Sequence, residues 1–243
     1  MKYLANTGFL YPELPFLERI AAAAAAGFDG VEFHDEVQRE DAGRVAEELA
    51  KHALVVGGLN IRMGAASGCA AVRGSEQLFG ADMEDAHRAA ELVGARAIHV
   101  LAGRGEGTDR RTYVANLRRA LLLTDRNLLI EPISSAAMPD YFLGGFEEAL
   151  DILEAVDGGS RIAIMFDWYH ATNVLGAEGA ARFLDRHRAR IGHVQAASAP
   201  ARAEPDAAVL ARMGRAGFER VGLEYRATEP PGRFLARLRA GAG

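Results

Sequence analysis

Along the chain, short runs of consecutive apolar residues alternate with longer stretches in which apolar positions recur every three or four residues. The runs are Tyr3–Asn6, Gly30–Phe33, Val55–Asn60, Ala97–Leu101, Leu128–Glu131, Ile162–Asp167, Gly192–Gln195 and Gly222–Tyr225. Short apolar runs without polar alternation read as strands buried on both faces. The periodic stretches include Glu76–Leu92, Asp109–Leu123, Phe146–Ala155 and Ala180–Arg188, and these read as helices. Turn signals fall between them at Gly27-Phe28-Asp29, Gly94, Asp157-Gly158-Gly159 and Gly217. The alanine run Ala21–Ala26 follows Leu17-Glu18-Arg19-Ile20 and predicts a small-residue helix lying close against a neighbour.

Eight strands alternating with helices leave about 30 residues per unit, which fits a (β/α)8 barrel of about 250 residues. The expectation is therefore an α/β fold, a TIM barrel, with residues 1–243 forming a single domain. A doubly wound open sheet would carry a Gly-x-Gly-x-x-Gly turn after its first strand. The turn here is Asn6-Thr7-Gly8-Phe9, which does not match. No Pro-, Gly- or Ser-rich linker marks a domain boundary.

Composition narrows the picture further. At 49% hydrophobic and 25% charged the chain has material for a large core, and disorder is excluded for its bulk. The net charge of -5 lacks the basic footprint of a nucleic-acid binder. The single cysteine, Cys69, excludes an intramolecular disulfide and a multi-cysteine metal site. The longest apolar stretch, Ile20 to Phe28, is far short of the roughly 20 residues that span a bilayer. A cytoplasmic enzyme with a small-molecule substrate, no nucleic acid and no membrane is expected; self-association into a homo-oligomer is left open.

Chemistry in a barrel sits at the C-terminal ends of the strands. Four consecutive predicted strands end on oxygen-bearing side chains: Glu131, Asp167, Gln195 and Glu224. Their separations of 36, 28 and 29 residues are each close to one βα unit, so all four should meet in one mouth. Taken alone, a strand-end carboxylate is as often a helix cap or a loop ion pair. Three carboxylates and an amide in phase repel one another unless a cation neutralises them. An all-oxygen set suits Mg²⁺ or Mn²⁺. Side-chain alternation places Leu129, Met165, His193 and Gly222 one layer deeper, with His193 read as a hydrogen-bonded interior histidine. His170, three residues past Asp167, could reach a substrate.

At these residues the chain resembles the hydroxypyruvate isomerases, a group of the xylose isomerase-like barrels. The motifs are Leu128-Leu129-Ile130-Glu131-Pro132-Ile133, Phe166-Asp167-Trp168-Tyr169-His170, Gly192-His193-Val194-Gln195 and Gly222-Leu223-Glu224-Tyr225. Gly30-Val31-Glu32-Phe33 and Ile98-His99-Val100-Leu101-Ala102-Gly103 resemble the second and fourth strands of the same group. The resemblance implies that Glu131, Asp167, Gln195 and Glu224 hold the metal and that Glu131 and Glu224 are the acid/base pair. It implies isomerisation of a 2-keto-3-hydroxy acid, hydroxypyruvate to tartronate semialdehyde, through a cis-enediolate. A ketose 3-epimerase, a related sugar isomerase or lyase, and a catalytically eroded metabolite-binding barrel remain alternatives.

Two loops depart from the family pattern, Arg62–Cys69 and the segment after Gln195, where Arg202, Glu204 and Pro205 survive but the family's glycines do not. A carboxylate substrate needs a cation, and Arg62, Arg104, Arg202 and Arg226 all follow predicted strands. Arg202 and Arg226 have the better placement, on the loops after strands seven and eight. Glu32, at the end of strand two, is a further substrate-binding candidate or a cap. The stretch Gly103–Thr108 could cradle an anion, but it lacks the lysine of a phosphate loop. No function is assigned to Cys69.

Overall fold

The computed structural model describes residues 1–241. Its strands are β1 (Lys2–Asn6), β2 (Gly30–Phe33), β3 (Val55–Asn60), β4 (Ala97–His99), β5 (Asn127–Ile130), β6 (Ile162–Asp167), β7 (Ile191–Ala196) and β8 (Arg220–Leu223). Neighbours pair in parallel and in chain order, and β8 returns to β1, so the sheet closes and no edge is left exposed. The helices are α1 (Phe16–Ala25), α2 (Ala42–His52), α3 (Glu76–Val93), α4 (Arg110–Leu123), α5 (Phe146–Val156), α6 (Trp168–Arg186), α7 (Ala207–Arg215) and α8 (Pro231–Ala240). None is long and apolar enough to cross a membrane.

Local chemistry sets the boundaries. Asp41 opens α2 by accepting from the backbone N–H groups of Gly43 and Arg44, and Asp109 opens α4 by accepting from Thr112 N–H at 2.9 Å. Gly94 closes α3 in the left-handed region at φ 65°, a conformation that costs glycine nothing. Pro132 has no N–H to continue a ladder, and β5 stops two residues before it. The strand read to Leu101 instead ends at His99. Beyond it the chain turns to the β3–α3 loop, where Ala71 N–H donates to the Ala102 carbonyl at 2.7 Å. The helix read from Ala180 begins twelve residues earlier, at Trp168. Gly176, at φ 72° and ψ 163°, interrupts α6 and breaks the apolar period that sequence reading follows.

Alternation along each strand divides the interior in two. Outward residues such as Ile98, Leu128, Ile130, Ile164, Phe166, Val194 and Leu223 pack beneath the helices. Phe166 of β6 meets Phe146 of α5 and Phe183 of α6 at ring separations of 5.6 and 6.1 Å. Burying such rings contributes about 1.5–3 kcal/mol each. Inward, Ala97, Leu129 and Met165 form a small apolar plug, and polar side chains stand on top of it.

Candidate active site

The C-terminal mouth of the barrel holds a cavity of about 410 Å³ whose floor is Leu129 and Met165. Glu131 and Glu224 stand one residue past β5 and β8, and Asp167 and Gln195 stand at the ends of β6 and β7. All four are buried. Asp167 does two things at once. Its Oδ1 caps α6 by accepting from Tyr169 N–H at 2.9 Å, while Oδ2 accepts from Arg202 Nη2 at 3.0 Å. The cap and the Arg202 contact coexist on one carboxylate because β6 passes into α6 with no loop between them.

Arg202 lies deep in the cavity. Its Nη2 donates to Asp167 Oδ2 and is 3.0 Å from Glu224 Oε1 as well. The guanidinium carbon stands 4.5 Å from the centre of the Phe9 ring and 4.7 Å from that of Tyr169. The residue adopts φ 52°, unusual for a side chain of this size, and its carbonyl accepts from Arg226 N–H at 2.7 Å. Strain at one residue persists where the surroundings over-determine it. Arg226 itself is exposed on the rim.

His170 is braced from behind. Ser134 donates its backbone N–H to Nδ1 at 3.2 Å on one side, and on the other Arg202 Nη1, a donor only, stands 3.2 Å from Nε2. That nitrogen lies 3.6 Å from Asp167 Oδ2 and 3.9 Å from Glu131 Oε1. Burial and the nearby Arg202 charge push the imidazole down to about 3, so it is neutral. Glu131, Asp167 and His170 can bring three ligand atoms within 4.8 Å of one another. His170 thus sits closer to the carboxylates than a substrate contact alone requires.

Charge is unevenly spread over the carboxylates. Burial, together with the charges of Glu224 and Asp167, pushes Glu131 well above its ordinary range. Burial also acts on Glu224, but Arg202 and His34 outweigh it and hold that group low. The residues fit a hard divalent cation on the evidence of their free atoms. Glu131 Oε1 and Gln195 Oε1 are both buried and have no hydrogen-bond partner. Orphaned buried oxygens are costly, and a cation is one way to satisfy them.

Glu32 lines the cavity, as its strand-end position suggested, and is engaged there by β7. One oxygen accepts from Gln195 Nε2 at 2.9 Å and the other contacts His193 Nε2. Arg62 pairs with Asp82 and Asp85, and Arg104 donates to the Ala65 carbonyl, so neither lines the cavity. The Gly103–Thr108 loop packs on other loops, with Gly105 N–H donating to the Asp140 carbonyl and Thr108 Oγ1 donating to the Gly105 carbonyl.

Sequence reading did not single out His34 and His99 for the site, nor Asn6 and Asn60. Each ends or follows one of strands β1 to β4 and lines the same cavity. His34 Nε2 is 3.7 Å from Glu224 Oε1, and His99 Nε2 is 3.7 Å from Glu131 Oε2. The strand-end phase argument, extended from strands five to eight back to one to four, would have found them.

Comparison with known proteins places the chain in a family. The family model for the xylose isomerase-like TIM barrel matches residues 20–230. The chain is 33% identical to a 2-oxo-tetronate isomerase of Cupriavidus necator, covering 93% of this chain and 92% of that protein. It is 32% identical to the hydroxypyruvate isomerase of Escherichia coli, covering 84% and 83%. A crystal structure of an AP endonuclease, family 2, from Brucella melitensis superposes with a TM-score of 0.91 at 31% identity and 98% coverage of both chains. A 3-keto-D-glucoside 4-epimerase from E. coli shares the fold, with a TM-score of 0.80 at 21% identity over 99% of each chain. The chain belongs to the xylose isomerase-like TIM-barrel family and is similar over most of its length to isomerases of hydroxypyruvate and 2-oxo-tetronate.

Proposed function

We propose that this barrel is a metal-dependent aldose–ketose isomerase for a small 2-keto-3-hydroxy acid of the hydroxypyruvate and 2-oxo-tetronate class. The observation that carries the reading is the convergence of Glu131, Glu224, the Gln195 amide, Arg202 and His170 on one cavity, with the buried Asp167 against Arg202 and His170. Glu131, Asp167, Gln195 through its oxygen, and Glu224 would hold Mg²⁺ or Mn²⁺. When bound, the ion would compensate the negative charge that develops on the two substrate oxygens.

The reaction moves a proton between adjacent carbons. One glutamate takes the proton from the hydroxyl-bearing carbon, giving a cis-enediolate. The other returns a proton to the former carbonyl carbon, and the hydroxyl proton passes to the neighbouring oxygen. Glu131 and Glu224 suit this because their surroundings drive them apart, one toward the protonated and one toward the ionised form. His170, which lines the cavity beside Arg202, would contact a substrate oxygen. Arg202, with Arg226 at the rim, would receive the substrate carboxylate. Phe9, Ile133 and Met138 give the cavity a water-poor wall.

The test is direct. Glu131→Gln and Glu224→Gln should each lower turnover about 10²–10⁴-fold with unchanged far-UV circular dichroism. Stripping the metal should abolish activity, and Mn²⁺ or Mg²⁺ should restore it. Wild-type turnover in either variant would remove the acid/base assignment. A product that keeps its carbonyl position would replace isomerisation by epimerisation.

A further inference from the structure

Beneath the carboxylates, Glu32 reaches from β2 to β7 and meets Gln195 and His193. We propose that Glu32 is a positioning residue that decides which atom of the Gln195 amide faces the cavity. The inference deepens the metal-dependent reading and rests on it.

A glutamine ends in an oxygen and an NH2 group of nearly equal size, so shape alone does not choose between its two orientations. An ionised carboxylate accepts hydrogen bonds only. Glu32 Oε2, 2.9 Å from Gln195 Nε2, therefore selects the NH2 group and turns Oε1 the other way. That oxygen is buried and otherwise unpartnered. The second Glu32 oxygen is in contact with His193 Nε2, two residues before Gln195 and on the same face of β7. One Glu32 oxygen is thus committed to the amide, and the other, buried without a hydrogen-bond partner, abuts the His193 ring.

The neighbouring strands are shaped for this contact. A Cβ at Gly222 of β8 would lie 2.2 Å from Glu32 Oε2, and a Cβ at Gly57 of β3 would lie 3.0 Å from Oε1. Neither glycine is at positive φ, so space and not backbone geometry calls for them. Two strands supply the slot, a third the carboxylate, and a fourth the histidine and the amide. A neutral ligand is thereby made to present oxygen to a hard cation, where a flipped amide would present hydrogens.

The experiment measures Mn²⁺ affinity of metal-stripped full-length protein by titration calorimetry, with the side-chain NH2 resonances of Gln195 followed by ¹⁵N NMR in the metal-free state. Glu32→Gln and Glu32→Asp should each weaken Mn²⁺ about 10–100-fold, the range for removing a partner that orients a ligand. In E32Q/Q195E a carboxylate at position 195 offers oxygen whichever way it turns, and affinity should return to within a few-fold of wild type. In the wild type one Gln195 NH2 proton should be shifted downfield and protected from exchange, and Glu32→Gln should abolish this. The NMR reading needs only the wild type should Glu32→Gln fail to fold. Unchanged affinity in Glu32→Asp would show that charge alone matters and overturn the proposal. An unprotected wild-type NH2 group would do the same. Absence of Mn²⁺ binding by the wild type would instead overturn the metal reading, and this inference with it.

Discussion

Arg202 is a buried cation shared by Asp167 and Glu224, and its removal should show how the site balances charge. Arg202→Met keeps much of the stem that packs on Phe9 and Tyr169 but leaves two buried carboxylates without their partner. Breaking a buried pair on one side costs about 3–5 kcal/mol. For a chain of this size each kcal/mol lowers Tm by about 2–4 °C, so the metal-free variant should melt roughly 6–20 °C below wild type. The loss should depend on pH. Glu224 in the wild type is held below its unfolded value, so it contributes stability above that value and loses it as pH falls through the lower folded one. The variant lacks this contribution, and the gap should be larger at pH 8 than at pH 4. Saturating Mn²⁺ should narrow it, because the ion returns positive charge to the same oxygens. Thermal melts of both proteins in EDTA and in Mn²⁺, at the two pH values, measure the effect. An equal Mn²⁺-induced rise in Tm for the two proteins would refute the view that Arg202 and the ion compensate the same carboxylates.

Three further outcomes are expected. Gly222→Ala should cost about 1–3 kcal/mol in urea unfolding by overpacking against Glu32 and should weaken Mn²⁺ binding, whereas unchanged affinity would separate the slot from the site. Gly68→Ala places a Cβ 2.3 Å from the Leu101 carbonyl oxygen at φ +90°, so limited proteolysis should cut the β3–α3 loop faster than in wild type. His170→Gln should lose stability at pH 7, but the gap to wild type should close by up to about 1.4 kcal/mol per pH unit below about 6. His170 stays neutral in the folded state down to about 3, while the unfolded chain takes its proton near 6.5, so only the wild type bears that acid penalty. A gap independent of pH would show that the folded ring is charged.

The barrel was legible because its strands are buried on both faces and read as unbroken apolar runs such as Ile162–Phe166. The strand-end oxygens Glu131, Asp167, Gln195 and Glu224 were legible because one βα unit has a nearly constant length. The role of Glu32 was not. Its partners Gln195 and His193 lie more than 160 residues away, and only barrel closure brings β2 within reach of β7. Arg202 was identified as a loop cation, but its depth was hidden, since left-handed backbone at a non-glycine residue leaves no mark in composition. The start of α6 was missed because Gly176 breaks the apolar period.

The most direct test of the central claim is proton exchange followed by NMR in D2O. Metal-loaded protein is incubated with hydroxypyruvate and with 2-oxo-tetronate, and Glu224→Gln serves as the control. The account predicts deuterium at the carbon beside the carbonyl, with the isomer appearing (an aldehyde from hydroxypyruvate, a 3-keto acid from 2-oxo-tetronate), both lost in EDTA and in Glu224→Gln. Metal-saturated wild-type protein that exchanges no carbon-bound proton in either acid would contradict it.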